Sequence, residues 1–152
     1  MSTDYDYSEY ERMCEEIRNK NKEYLAGFVE HLQEKGLKDK TIDNHVFNVD
    51  FYINSFLLRY DALEAKEGCH KVDGFLGDYF IRKAMWSTAN SIKQNITSFK
   101  KFYSYLLSIG VIDVDDFESL TDTIYESKDE WINLVNRYNN PNEPNPFLMF
   151  EL

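Results

Sequence analysis

The chain has 152 residues, a length that suits one domain on a single core. A hydrophobic share of 43%, with 11 Tyr and 11 Phe, excludes global disorder. The formal charge of −10 divides into −4 over residues 1–19, +2 over 20–112 and −8 over 113–152. A net charge that argues against a polyanionic partner therefore hides a mildly basic centre.

Ser8 with Glu11 three residues later fits a capping box, so a first helix is expected to open there. Tyr10, Met13 and Ile17 give it an apolar edge, and it can run on through Leu25, Phe28, Val29 and Leu32. Gly36 stands where a glycine just past the end would stop that helix. A second helix is expected from Lys40 to Tyr60 with Asp39 as N-cap. Ile42, Val46, Val49, Ile53, Phe56 and Tyr60 share one side, while Phe47, Phe51 and Leu58 fall on the other. Two apolar faces mean either packing by a flanking segment or an exposed partner site.

Residues 61–70 are polar and contain Gly68, which predicts a loop. A third helix follows from Val72 to Met85, with Phe75, Leu76, Tyr79, Phe80 and Met85 available to the core. Ser87 or Thr88 can cap a fourth and longest helix that ends at Gly110. Its core stripe is Ile92, Ile96, Phe99, Tyr103 and Leu106. Its other face carries Lys93, Gln94, Thr97, Lys100, Lys101 and Ser104, with Asn95 and Ser98 among the polar groups. From Tyr79 to Ile112 there are five bases (Arg82, Lys83, Lys93, Lys100, Lys101) and no Asp or Glu. Beyond Gly110 comes an acidic stretch of Asp113, Asp115, Asp116 and Glu118. Ser127 with Glu130 then predicts a last helix through Trp131, Leu134, Val135 and Tyr138. All three prolines lie in the tail, which reads as an extended connector ending in Phe147-Leu148-Met149-Phe150. The expected fold class is all-α.

Enzyme signatures are absent. The chain has no Gly-rich phosphate loop, G-x-S-x-G elbow, H-E-x-x-H or C-x-x-C. Cys69-His70 is the one Cys/His neighbour pair, and two adjacent ligands do not make a zinc site, so no metal and no cofactor are expected. No apolar run approaches the roughly 18 residues that a membrane span needs. The acidic start Met1-Ser2-Thr3-Asp4-Tyr5 is unlike a signal peptide, and two cysteines form no disulfide framework. A cytoplasmic protein with reduced thiols is expected, and the Met1 start fits a complete gene product.

The fourth helix carries the functional signal. Lysines neutralise phosphates, amides and hydroxyls bond phosphates or base edges, and an apolar back holds such a helix to its domain. Two blocks sharpen this. Gly36-Leu37-Lys38-Asp39-Lys40-Thr41-Ile42, with His45, Val49 and Tyr52, resembles the opening of the second helix in the core-binding domains of phage-integrase-type tyrosine recombinases. That family shows Gly-Leu-Ser, two variable residues, Thr-Ile and then a Tyr. Ser98-Phe99-Lys100-Lys101-Phe102-Tyr103-Ser104-Tyr105-Leu106 with Gly110-Val111-Ile112 resembles the family's Ala-Leu-Arg-x-Phe-Phe-x-Tyr-Leu and Gly-x-Ile. Lys38, His45 and Gln94 depart from the usual Ser, Tyr and Arg, and Asp115-Asp116 stands near the usual Asn-Pro.

The resemblance covers residues 20–113 and implies a four-helix, SAM-like core-binding bundle. The flanks are then an acidic helical extension (1–19), a second acidic helical extension with an extra helix (114–140) and a Pro-containing tail (141–152). It implies duplex DNA as partner in a DNA integration or recombination context. The DNA-facing residues would be Lys38, Lys40, Thr41 and Asn44 on the second helix and Lys93, Gln94, Thr97, Lys100 and Lys101 on the fourth. The family's catalytic half (an Arg, a Lys, His-x-x-Arg and a Tyr nucleophile) has no counterpart, because residues after 113 include only Lys128 and Arg137 as bases. The expectation is a non-catalytic DNA-binding domain. A separate recombinase subunit, or a second copy joined through Phe147, Leu148, Met149 and Phe150, would be its protein partner. The alternative is a helical protein-interaction module that kept the scaffold and lost DNA affinity.

Overall fold

A computed structural model describes residues 3–148. Among them the chain is all-helical, with no strand. Helix α1 runs unbroken from Thr3 to Glu34, crossing the point where the acidic segment gives way to the basic centre. Tyr10, Cys14, Ile17, Asn21, Tyr24, Phe28 and His31 alternate in steps of four and three, the spacing that keeps one narrow seam against a partner surface. Cys14 is buried on that seam and Met13 is 40% exposed, so Cys14 and not Met13 continues the apolar edge.

The stop at Gly36 is a Schellman motif. Gly36 adopts φ +82°, its N–H bonds the Gln33 carbonyl at 2.9 Å, and the Leu37 N–H reaches back to Leu32 at 3.2 Å. The same motif recurs at Gly110 (φ +79°), with Gly110 bonding Leu107 at 3.1 Å and Val111 bonding Leu106 at 2.9 Å. Only glycine takes this left-handed backbone without a steric cost of about 1–2 kcal/mol.

Helix α2 spans Asp39–Asp50 and continues as a π segment, Phe51–Phe56. Its N-cap is Lys38, in extended backbone and without a side-chain cap bond, while Asp39 is the first helical residue. An acid in that first turn still meets the helix dipole favourably. The wide π turn is closed by Leu57 N–H on the Tyr52 carbonyl at 3.0 Å, and the helix ends at Phe56, short of the expected Tyr60. Leu57 and Leu58, in the turn that follows, are buried, and Tyr60, expected in the core, lies in a bend and is 79% exposed. The flanking segments cover much of the second apolar face. The Tyr10 hydroxyl donates to the Leu58 carbonyl, and Phe51 packs beneath Trp86, but Phe47 stays exposed.

The polar stretch contains a 3-10 helix, Ala65–His70, opened by a reciprocal capping box between Glu64 and Glu67. Two buried tyrosines anchor it: Tyr52 donates to the Gly68 carbonyl at 2.6 Å and Tyr103 to the Ala65 carbonyl at 2.7 Å. Next come α3 (Val72–Gly74), a π segment (Phe75–Tyr79) and α4 (Phe80–Lys83) in direct succession. Phe75, Leu76 and Phe80 enter the core, whereas Met85 lies past the helix in a turn and is almost wholly exposed. Helix α5 (Ala89–Ser108) is capped by Thr88 through a reciprocal box with Ser91, while the Ser87 hydroxyl turns back to the Ile81 carbonyl at 3.0 Å. Its expected stripe of Ile92, Ile96, Phe99, Tyr103 and Leu106 is buried throughout.

Helix α6 (Val114–Asn139), with its N-cap at Asp113, begins fourteen residues earlier than the Ser127 signal implies. Asp113 is the N-cap, with its side chain on the Asp116 N–H at 2.8 Å and the Asp116 carboxylate on the Asp113 N–H at 3.2 Å. The acidic stretch is thus a first helical turn, where carboxylates satisfy free N–H groups and the dipole together. Leu120, Ile124, Trp131 and Val135 seat α6 on the core, and Trp131 donates to Asp73 at 2.7 Å. The core joins all these elements around an aromatic cluster of Tyr52, Phe56, Phe75 and Phe99, with ring centroids 4.5–5.8 Å apart.

The tail folds back and is not an extended connector. Phe147 packs on Tyr138 at 5.9 Å under the Arg82 guanidinium at 5.3 Å, and Asn139 donates to the Ser87 carbonyl at 2.8 Å. Leu148 is half exposed, and Met149 and Phe150 lie outside the described residues. No helix among the described residues is long and apolar enough to cross a membrane.

Candidate nucleic-acid interface

Helices α2 and α5 pack against each other. Trp86, just before α5, meets Phe47 and Phe51 near the end of α2, both with ring centroids at 5.8 Å. About three turns along α5, Lys101 is near enough for its charge to act on the His45 ring. Between these points Ser98 holds the two helices together. Its Oγ lies 2.7 Å from His45 Nδ1, accepts from Asn48 Nδ2 at 3.0 Å, and lies 3.0 Å from the carbonyl of Gln94 in its own helix. Burial, and then the charge of Lys101, holds the His45 imidazole below its ordinary pKa, so at neutral pH the ring is uncharged.

Over this polar link runs a shallow cavity of about 210 Å³ lined by Thr41, Asn44, His45, Asn48, Gln94 and Thr97. The structure therefore brings Thr41 and Asn44 of α2 together with Gln94 and Thr97 of α5. Lys100 and Lys101 line a neighbouring cavity of about 290 Å³ with His31, Lys35, Ser104 and the edge of Phe117. Lys38, Lys40 and Lys93 are exposed near the N-terminal ends of their helices, and neither of these two cavities includes them. Among the described residues none of Lys38, Lys40, Lys93, Lys100 and Lys101 forms an ion pair. The acids nearest in sequence, Asp39 and Asp43, are exposed at the flank of α2.

Two residues expected on the polar face are in fact inside. Asn95 donates to the Ser91 carbonyl at 2.8 Å and is 2% exposed, and Ser98 is buried at the helix pair. Sequence reasoning in turn missed three residues. Asn48 belongs to the cavity and was legible as the i+4 neighbour of Asn44. His31 and Lys35 reach the lysine cavity from α1, a helix that no sequence signal sets beside α5.

The Cys69-His70 pair is engaged locally. Cys69 is buried, and burial pushes its thiol up to about 12, which leaves it protonated. Both His70 ring nitrogens face α6, Nε2 to Asp116 at 2.9 Å and Nδ1 to Ser119 at 3.1 Å.

No family model, curated protein or solved structure matches this chain.

Proposed function

We propose that this is a non-catalytic DNA-binding domain, arranged like the four-helix core-binding half of a tyrosine recombinase and working in DNA integration or recombination. One observation carries the reading. Amide and hydroxyl side chains from α2 and α5 line a common cavity, and the five lysines on the exposed sides of these helices form no ion pair among the described residues. Phosphates are then the natural counter-ions for the lysines, with Asn44, Asn48 and Gln94 in reach of base edges. The buried thiols of Cys14 and Cys69 suit the reducing cytoplasm.

Fluorescence anisotropy with a labelled short duplex across a salt series tests this. Affinity is expected to fall linearly on log–log axes. Replacing Lys93, Lys100 and Lys101 together by Ala should flatten the slope by about 0.9 for each phosphate no longer neutralised. Absence of binding at low salt, or a slope the triple variant leaves unchanged, overturns the reading. A second reading, a protein-interaction module, is favoured by the outer face of α6, where Tyr125 is 89% and Val114 is 59% exposed among acids. Capture of a partner that is lost on Tyr125→Ser, in a chain that does not bind DNA, would establish it instead.

A further inference from the structure

Phe47, one residue before Asn48 of the polar cavity, is 55% exposed and forms a ring pair at 5.8 Å with Trp86, itself 46% exposed. Phe51 and Phe80 back the indole from beneath, with centroids at 5.8 and 6.3 Å, so it is held as a platform and is not free to swing. Trp86 belongs to the acid-free stretch between Tyr79 and Ile112, with Lys83 and Lys93 exposed on either side in sequence, while Phe47 comes from α2 between Asp43 and Asp50.

A paired base offers a protein its edges, because both its faces are covered by neighbouring base pairs. An exposed indole beside an amide-lined cavity has no counterpart on an uninterrupted duplex, but it matches the open face of an unpaired base. A protein partner would more naturally be met by a broad apolar surface, and here the amides Asn44 and Asn48 stand within one turn of Phe47.

We infer that this surface takes DNA in which duplex gives way to unpaired nucleotides: phosphates on the lysines, base edges at Asn44 and Gln94, and an unpaired base stacked on Trp86. This rests on the reading of the cavity as a DNA interface and adds the structure of the ligand.

Only two tryptophans are present, and Trp131 is buried, so indole fluorescence offers a local report. The experiment compares a blunt duplex with the same duplex carrying a short single-stranded overhang, by anisotropy and by tryptophan emission. The overhang is expected to bind more tightly and to quench emission, and Trp86→Phe should abolish the quench while Trp131 still emits. Trp86→Ala and Phe47→Ala, at exposed positions where circular dichroism confirms folding, should each weaken overhang binding about five- to a hundredfold, the range of one base–aromatic stack, and spare the blunt duplex. Equal affinity for the two ligands with no quench, while binding stays lysine-dependent, overturns this inference and leaves the DNA reading standing. No binding of either ligand overturns both. A change in sedimenting mass on Trp86→Ala, with overhang affinity unchanged, assigns the platform to a protein contact and also overturns it.

Discussion

Ser98 has one hydroxyl proton and three polar neighbours. If the proton goes to the Gln94 carbonyl, His45 must donate through Nδ1; if it goes to His45, the ring accepts there. Either way His45 is a neutral side chain wedged between α2 and α5, and the cost of charging it there ties the interface to pH. Its folded pKa is below the unfolded value, so as pH falls the unfolded chain takes up the proton first. The stabilising contribution is complete above the ordinary histidine value of about 6.5 and is lost as pH drops through it toward the lower folded value. Urea denaturation at falling pH should show decreasing stability in this window, with a smaller decrease in His45→Gln. An imidazole titration midpoint for His45 above the unfolded value would contradict this. The sequence marks His45 as a departure from the family pattern, but only the packed helices show what the smaller, polar ring does.

Whole elements were legible where period and punctuation agreed. In α5 a Thr cap, a five-residue apolar stripe and a closing glycine all point the same way, and the helix begins and ends where they place it. From α2 the apolar period is correct through Phe56, where the π segment ends, and Tyr60 falls beyond the helix in an exposed bend. Nothing in a periodic pattern announces a π turn, because it is fixed by how Leu57 and Leu58 pack against other elements. The sequence pattern sets the start of α6 too late, because Asp113 and Asp116 build a capping box from two acids while the familiar Ser–Glu form stands at Ser127. This difference can be measured. Asp113→Ala should cost about 1 kcal/mol in a urea titration, the value of a lost N-cap, while Ser127→Ala, inside the helix, should stay within about 0.5 kcal/mol of the parent. Equal losses, or a larger loss at Ser127, would move the helix start back to Ser127.

At the scale of the molecule the charge is divided between opposite ends of the chain and its middle, and the fold turns this into a difference between surfaces. The acids of α6 begin as capping groups and continue along its exposed side, while the acid-free stretch becomes α5 and the turn before it. The nine expected positions were legible as surface residues, since all are exposed or half exposed. The assembly of the site was not legible: that Asn44 and Gln94 share a cavity, and that α1 brings Lys35 to Lys100 and Lys101, depends on long-range packing. DNA binding through the α2–α5 face is tested most directly by an amide chemical-shift footprint of the intact chain, titrated with a blunt duplex at low salt. Shifts concentrated in residues 38–48 and 93–101, with α6 unchanged, are expected. Shifts centred on α6, or none at all, would contradict it.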